Sequence, residues 1–453
     1  MNKFLNAASF ISLQGIWIFF VIMSYFRLNY AGIEESNLNI YYWLLINLIT
    51  AVVIGQLLLR KRLTKPYLYA ILTISAIVIM FYLQDLSSNK YFYRYIAICA
   101  PTTLMGVYFS NNKLEKLFPK YFLWMILISL YPLIVSLYKA IVFGISDRYT
   151  LDSGAGTIQL GYATATISIF LYYFYLLSFK RKNTFINLGD SVLRIFYNNY
   201  FVLTLLLFAL LIVVFVGGRG PLVSIISSIL LIEMIMNGIN LKLIKSVLIS
   251  AVLIIGVVYI VRNIQIEAFS RSFYRINMLV DSIITGDAFD ASSGRDRIYE
   301  IAWSHFLENP YWGLGFAGFI KKYNGYPHNI VLEFLADYGL IGSTFLISFF
   351  TYVFKPLFND LRNNQTMILF VAVFLVNLFS LMFSHTFLAS NIFWFYFGYG
   401  LYMRFGENNN KKGNWLSSTF IITDREINNE LQLTNTNYIL TANNNELERT
   451  FLN

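Results

Sequence analysis

Apolar runs long enough to cross a bilayer recur along this chain, and they leave little room for a soluble fold. A spanning helix needs roughly 20 predominantly apolar residues. Such runs fall near 8–26, 39–59, 66–84, 95–110, 121–143, 157–179, 200–217, 221–236, 246–261, 329–354, 366–384 and 390–403. The expected fold is therefore all-α: a polytopic membrane helix bundle of about twelve transmembrane helices. Composition agrees, with 13% charged residues against about 25% in soluble domains. The first run, Ala8–Phe26, is long enough to span and lacks a small-residue cleavage site, so it reads as a helix rather than a cleaved leader. The single cysteine, Cys99, lies in an apolar run, which excludes a disulfide framework and a cysteine metal site.

The net charge of +10 invites a nucleic-acid reading, but its distribution points to topology. Alternate connections are basic: Arg60, Lys61, Arg62 and Lys65; Lys113, Lys116 and Lys120; Lys180, Arg181, Lys182 and Arg194; Lys242 and Lys245; Lys355 and Arg362. With Lys3 these make 16 on one side, against six on the other: Arg27, Lys90, Arg94, Lys139, Arg148 and Arg219. The positive-inside rule then puts both termini in the cytoplasm, which an even number of spans satisfies.

Two segments break the pattern of short connections. Residues 262–327 form a long loop on the outer side, within a transmembrane domain covering 1–405. Loops of this length inside a compact fold are usually functional or disordered. This one is rich in aromatics and glycines, and Ile298, Ile301, Ala302, His305 and Phe306 follow helical spacing. Ser293 with Asp296 fits a capping box at the helix start and Asn309-Pro310 a stop. The loop reads as a folded subdomain lying against the membrane. The second segment, 406–453, is an asparagine-rich cytoplasmic tail with the composition of partly disordered chain.

Three features of the outer face can carry chemistry. In the stretch from Pro327 to Gly342, His328 and Asn329 sit where the loop enters a helix, Glu333 and Asp337 lie four apart on one face, and Gly339 and Gly342 permit a close contact or a kink. A helix start disfavours imidazolium, so His328 is expected to be neutral and able to accept a proton. It also fits a plain helix cap at the membrane interface. Arg219 stands in the glycine hairpin Gly217–Pro221, where it suits a cavity-facing ligand or an interfacial arginine snorkelling to head groups. The third feature is the arginine set of the loop: Arg262, Arg271, Arg275, Arg295 and Arg297, with Arg271 and Arg275 four apart. Guanidinium forks bind phosphate bidentately, although seven loop acids offer ordinary partners. No Asp-x-Asp pair, phosphate-binding glycine loop, nucleophile elbow or metal-spaced histidines occur. No cofactor is expected, and a phosphate site here would rely on arginines.

The order Ser293-Gly294-Arg295, Trp303, Asn309-Pro310, Gly313, Gly315, Gly318, His328-Asn329, Gly339 and Gly342, behind a long loop in a multi-span protein, resembles the signature region of the O-antigen ligase and O-antigen polymerase family. The Gly218-Arg219-Gly220 hairpin resembles that family's arginine-bearing loop. The resemblance implies a metal-independent glycosyltransferase of the bacterial inner membrane, acting at the periplasmic face on an undecaprenyl-diphosphate-linked glycan. It implies His328 as general base, with Arg219, Arg295 and one of Arg271 or Arg275 on the diphosphate. Arg297 is the alternative to Arg295, and Asn329, Glu333, Gly339 and Gly342 support the site. Partners would be the lipid-linked oligosaccharide, membrane lipid, a chain-length regulator and a flippase, with no nucleic acid. The preferred activity is polymerisation of repeat units. The alternatives are ligation of the finished glycan to lipid A-core and, more distantly, flipping of a lipid-linked oligosaccharide.

Overall fold

The computed structural model describes residues 64–143, 157–180, 192–215, 219–238, 295–359 and 364–406, with scattered positions elsewhere. Every regular element among them is helical. The expected spans 8–26, 39–59 and 246–261, the loop residues before 295 (including Arg262, Arg271 and Arg275) and the tail beyond Gly406 lie outside or almost wholly outside the described residues.

The helices are α1 (Lys65–Leu83), α2 (Lys90–Arg94), α3 (Ala100–Asn111), α4 (Phe118–Phe143), α5 (Thr157–Lys180), α6 (Asn199–Phe215), α7 (Arg219–Asn237), α8 (Asp296–Glu308), α9 (Gly318–Tyr323), α10 (Ile330–Asn359), α11 (Gln365–Ser380) and α12 (Asn391–Phe405). Within α1, α4, α5, α7 and α10 lie five stretches long and apolar enough to cross a membrane. The chain divides into Met1–Arg404 and Phe405–Asn453, and the helix bundle belongs to the first unit.

Helix α11 is the axis of the bundle. It is capped by Asn364, whose side chain accepts from Thr366 N and Met367 N at 3.1 and 3.3 Å. Every residue from Met367 to Val376 is buried. A helix apolar on all sides has to be enclosed, and α4, α5 and α7 pack around it. Aromatic rings fill the spaces: Phe122 stacks on Phe170 at 4.3 Å, and Phe370 and Phe374 meet Tyr396 at 4.6 and 4.5 Å. Helices α3 and α12 cross so closely that a methyl at Gly106 would strike the Phe395 carbonyl, and one at Gly398 the Thr103 carbonyl. Small residues allow such backbone contact between membrane helices.

The loop helix forms as its spacing predicts. On α8, Ala302 and His305 are buried, and Ile298 and Ile301 pack with Phe319, Leu332 and Ala336. His305 is held locally by Glu308 at 2.9 Å and Tyr323 at 2.5 Å.

Three expectations need correction and one needs extending. The expected 95–110 helix is present and longer, since α2, a π-helical turn at Tyr95–Cys99 and α3, with Pro101 in its first turn, run on continuously from Lys90 to Asn111. Helix α8 begins at Asp296 with Arg295 in the cap position and no side-chain cap, two residues later than a Ser293–Asp296 capping box requires. The 366–384 span ends at Ser380, and residues 381–390 turn back on themselves instead of continuing as helix. Arg219 is the first residue of α7, so residues 219–221 of the expected hairpin are helical, while Gly217 and Gly218 lie outside the described residues.

Candidate active site

The non-helical segment after α11 organises the site, because its backbone carbonyls are taken by groups from distant parts of the chain. Leu381 O accepts Ile330 N at 3.0 Å, fastening the start of α10. Phe383 O accepts Nη1 of Arg295. Ser384 O accepts the Tyr326 hydroxyl at 3.0 Å and faces Nδ1 of His328 at 3.4 Å. Ser384 Oγ pairs with the Tyr162 hydroxyl of α5 at 3.1 Å. Thr386 closes the set by donating its hydroxyl to Oε1 of Glu333.

His328 occupies a left-handed conformation (φ 58°) just outside α10, and Asn329 is the capping residue. Its Oδ1 accepts Val331 N at 2.9 Å and Leu332 N at 3.1 Å. The half-buried imidazole lies 4.3 Å from the Tyr326 ring. Burial, and after it the Arg295 charge, hold the His328 pKa below the ordinary histidine value, while the Ser384 carbonyl opposes them. The neutrality expected from a helix start thus has different main causes, desolvation and a neighbouring cation. With Nδ1–H directed at Ser384 O, the Nε2 lone pair is left to take a proton.

Glu333 and Asp337 do share one face of α10, and both are 0% exposed. Asp337 Oδ1 accepts Phe319 N at 2.7 Å, tying α9 to α10. Neither Glu333 Oε2 nor Asp337 Oδ2 has a hydrogen-bond partner among the described residues. Both carboxyls are thus enclosed within the protein.

Gly339 does kink α10, with φ 60° and ψ −166°, a conformation open only to glycine. The turn after α8 rests on the kink: Leu340 N donates to Pro310 O at 2.7 Å, and Gly315 N to Asp337 O at 2.7 Å. Gly342 has no such role, since a side chain there would meet only Tyr338 of its own helix.

Of the expected arginines, the structure brings Arg295 to His328 and leaves Arg297 exposed. The Arg219 side chain lies outside the described residues, but its neighbour Gly220 abuts the Tyr162 hydroxyl and Phe383. The start of α7 therefore borders the same turn. Three residues at the site escaped the sequence reading. Tyr326 and His385 carry no motif, and Arg94 counted only as an outer-side charge. The half-buried His385 packs against Tyr162 at 5.6 Å. Burial first, then Arg94, His328 and Arg295, push its pKa down, so it too is neutral. The available signal was the polar triplet Ser384-His385-Thr386 inside an apolar run.

The arrangement sets a proton acceptor beside a cationic guanidinium, both held by adjacent carbonyls of one turn. That combination suits deprotonation of a hydroxyl next to an anionic leaving group. No curated protein and no solved structure matches the chain. Residues 203–347, which include Arg219, Arg295 and His328, match the family model described as O-antigen ligase. That stretch is similar to the O-antigen ligase family, which supports the resemblance read from the motifs.

Proposed function

We propose that this protein is a surface-polysaccharide polymerase of the inner membrane, with both termini cytoplasmic and the His328 face periplasmic. The observation that carries the reading is the suspension of Arg295 and His328 from successive carbonyls, Phe383 and Ser384. In the reaction, a sugar hydroxyl of a lipid-linked repeat unit attacks the anomeric carbon of an undecaprenyl-diphosphate-linked glycan. The new glycosidic C–O bond forms as the bond from the anomeric carbon to the diphosphate oxygen breaks. The hydroxyl proton passes to Nε2 of His328, and the lipid diphosphate leaves with its charge held by Arg295 and Arg219. Guanidinium groups take the place a metal ion could fill, so the transfer is metal-independent. A chain-length regulator and a flippase would act beside it.

The description of the matched family favours a second reading, ligation of the finished glycan to lipid A-core. One deletion separates the two. Loss of a polymerase leaves lipid A-core carrying a single repeat unit, whereas loss of a ligase leaves it bare. Long-chain glycan persisting unchanged would overturn both.

A further inference from the structure

Arg94 comes to the site from a part of the chain far from the matched stretch. It ends α2, three residues after Tyr91, so the two side chains share a helix face. The Tyr91 ring meets the Tyr326 ring at 5.9 Å, and Tyr326 in turn covers His328. The helix is docked firmly. Segments 90–94 and 95–99 pack on the turn Phe387–Ala389, Cys99 Sγ reaches Leu388 O at 3.5 Å, and Thr102 Oγ1 reaches Asn391 O at 3.3 Å. The π-helical turn begins at the residue after Arg94, and such insertions often mark functional positions. Among described charges, Arg94 acts more strongly than Arg295 on both Tyr326 and His385. Arg94 and Arg295 thus both bear on Tyr326 and His385, and Arg295 also on His328. Neither arginine makes an ion pair among the described residues, and the enclosed Glu333 carboxyl is engaged by Thr386.

A half-buried cation without an acid beside it is costly near a membrane and faces a cavity or an anionic partner. We propose that Arg94 binds the phosphate of a polyprenyl diphosphate donor together with Arg295, the two arginines reaching the His328 and His385 region from different elements. The inference rests on the donor chemistry proposed above and extends it to a residue outside the family match. Two forks approaching from different elements can bind different phosphate oxygens, which fixes the orientation of the leaving group as well as its charge.

The phosphate chemistry has two sources, the donor and the head groups of anionic phospholipid, and the test separates them. Full-length protein in detergent is titrated with undecaprenyl diphosphate and with phosphatidylglycerol, and binding is followed by native mass spectrometry. Arg94→Ala is expected to weaken undecaprenyl diphosphate binding about 10–100-fold, the usual range for a lost charge-assisted contact. Arg94→Lys should recover part of it, and phosphatidylglycerol binding should not change. In turnover assays the donor KM should rise more than kcat falls. If Arg94→Ala does not accumulate, Arg94→Gln serves in its place. Undecaprenyl diphosphate binding that survives Arg94→Ala but fails with Arg295→Ala overturns the role of Arg94 and leaves the proposed function standing. Loss of phosphatidylglycerol binding alone assigns Arg94 to head groups and also overturns it. A wild-type protein with no affinity for undecaprenyl diphosphate overturns both.

Discussion

Replacing Thr386 by valine keeps the shape of the side chain and removes a single hydroxyl. That hydroxyl donates to Oε1 of Glu333 and accepts Leu388 N at 3.3 Å. Thr386 is 1% exposed and Glu333 is 0% exposed, so water cannot replace either bond. Glu333 Oε2 already lacks a partner, and the substitution leaves the whole carboxyl unsatisfied, at a cost of about 1–3 kcal/mol. Losing the cap on the Phe387–Ala389 turn adds about 1 kcal/mol. The total, about 2–4 kcal/mol, falls on the turn that carries Phe383 O and Ser384 O. The site should therefore loosen before the bundle does. Unfolding in mixed detergent micelles and glycan chain length at matched membrane abundance measure the two effects. Thr386→Ser, which keeps both bonds, should behave as wild type. Adding Glu333→Leu to Thr386→Val removes the orphaned acid as well, so the double variant should regain most of the carboxyl component of stability. If Thr386→Val matches wild type in both assays, the turn does not depend on this bond. A double variant no more stable than Thr386→Val would show that the carboxyl is not the source of the cost. A double variant that is stable yet makes no polymer would indicate that Glu333 takes part in the chemistry.

His328→Ala should reduce transfer by about 10²–10⁴-fold while His305→Ala, whose ring is engaged within the loop subdomain, stays active. Because the His328 pKa is lowered, the base stays neutral as pH falls through the ordinary histidine range near 6.5, and the acid limb of the rate profile should lie below it. Arg295→Ala should nearly abolish transfer, Arg295→Lys should restore only part because the fork is lost, and full activity should persist in EDTA. Inhibition by EDTA that added magnesium reverses would refute an arginine-only site. Gly339→Ala puts a side chain into the left-handed region, at about 1–3 kcal/mol, and against the backbone of Tyr311 and Trp312. It should lower unfolding resistance and shorten glycan chains, and wild-type values of both would refute the kink's role.

The membrane character, the amphipathic loop helix and the His328 motif were legible because each leaves a period or a spacing in the sequence. Arg295 was legible because it sits near a helix start among glycines. Tyr326, His385 and Arg94 were not, and the reason is physical. The site is assembled on backbone carbonyls at sequence separations of 56 to 88 residues, and a carbonyl has no residue identity to read. The end of α11 was hidden in the same way, since the apolar run continues through Phe383 with no glycine or proline to mark a stop. The π-helical turn at Tyr95–Cys99 was similarly concealed, because it preserves hydrophobicity while shifting the helical register.

The kink at Gly339 divides α10 into parts with different duties. Residues 340–359 run about 30 Å at 1.5 Å per residue, and that equals a hydrocarbon core of about 30 Å. Leu340, Ile341 and Phe345, at 52%, 49% and 69% exposure, suit that crossing. The preceding turns are not needed to span, and they carry the two enclosed acids, Glu333 and Asp337. They act as a lintel over the doorway rather than as part of the wall. Pro310 and Tyr311 carbonyls grip the chain just beyond the hinge, and Leu381 O grips its start. The height of the lintel above the crossing helix is thus fixed by backbone hydrogen bonds at both ends. Under the proposed reaction, a lipid-borne phosphate would meet the arginines at one set depth without its tail leaving the leaflet.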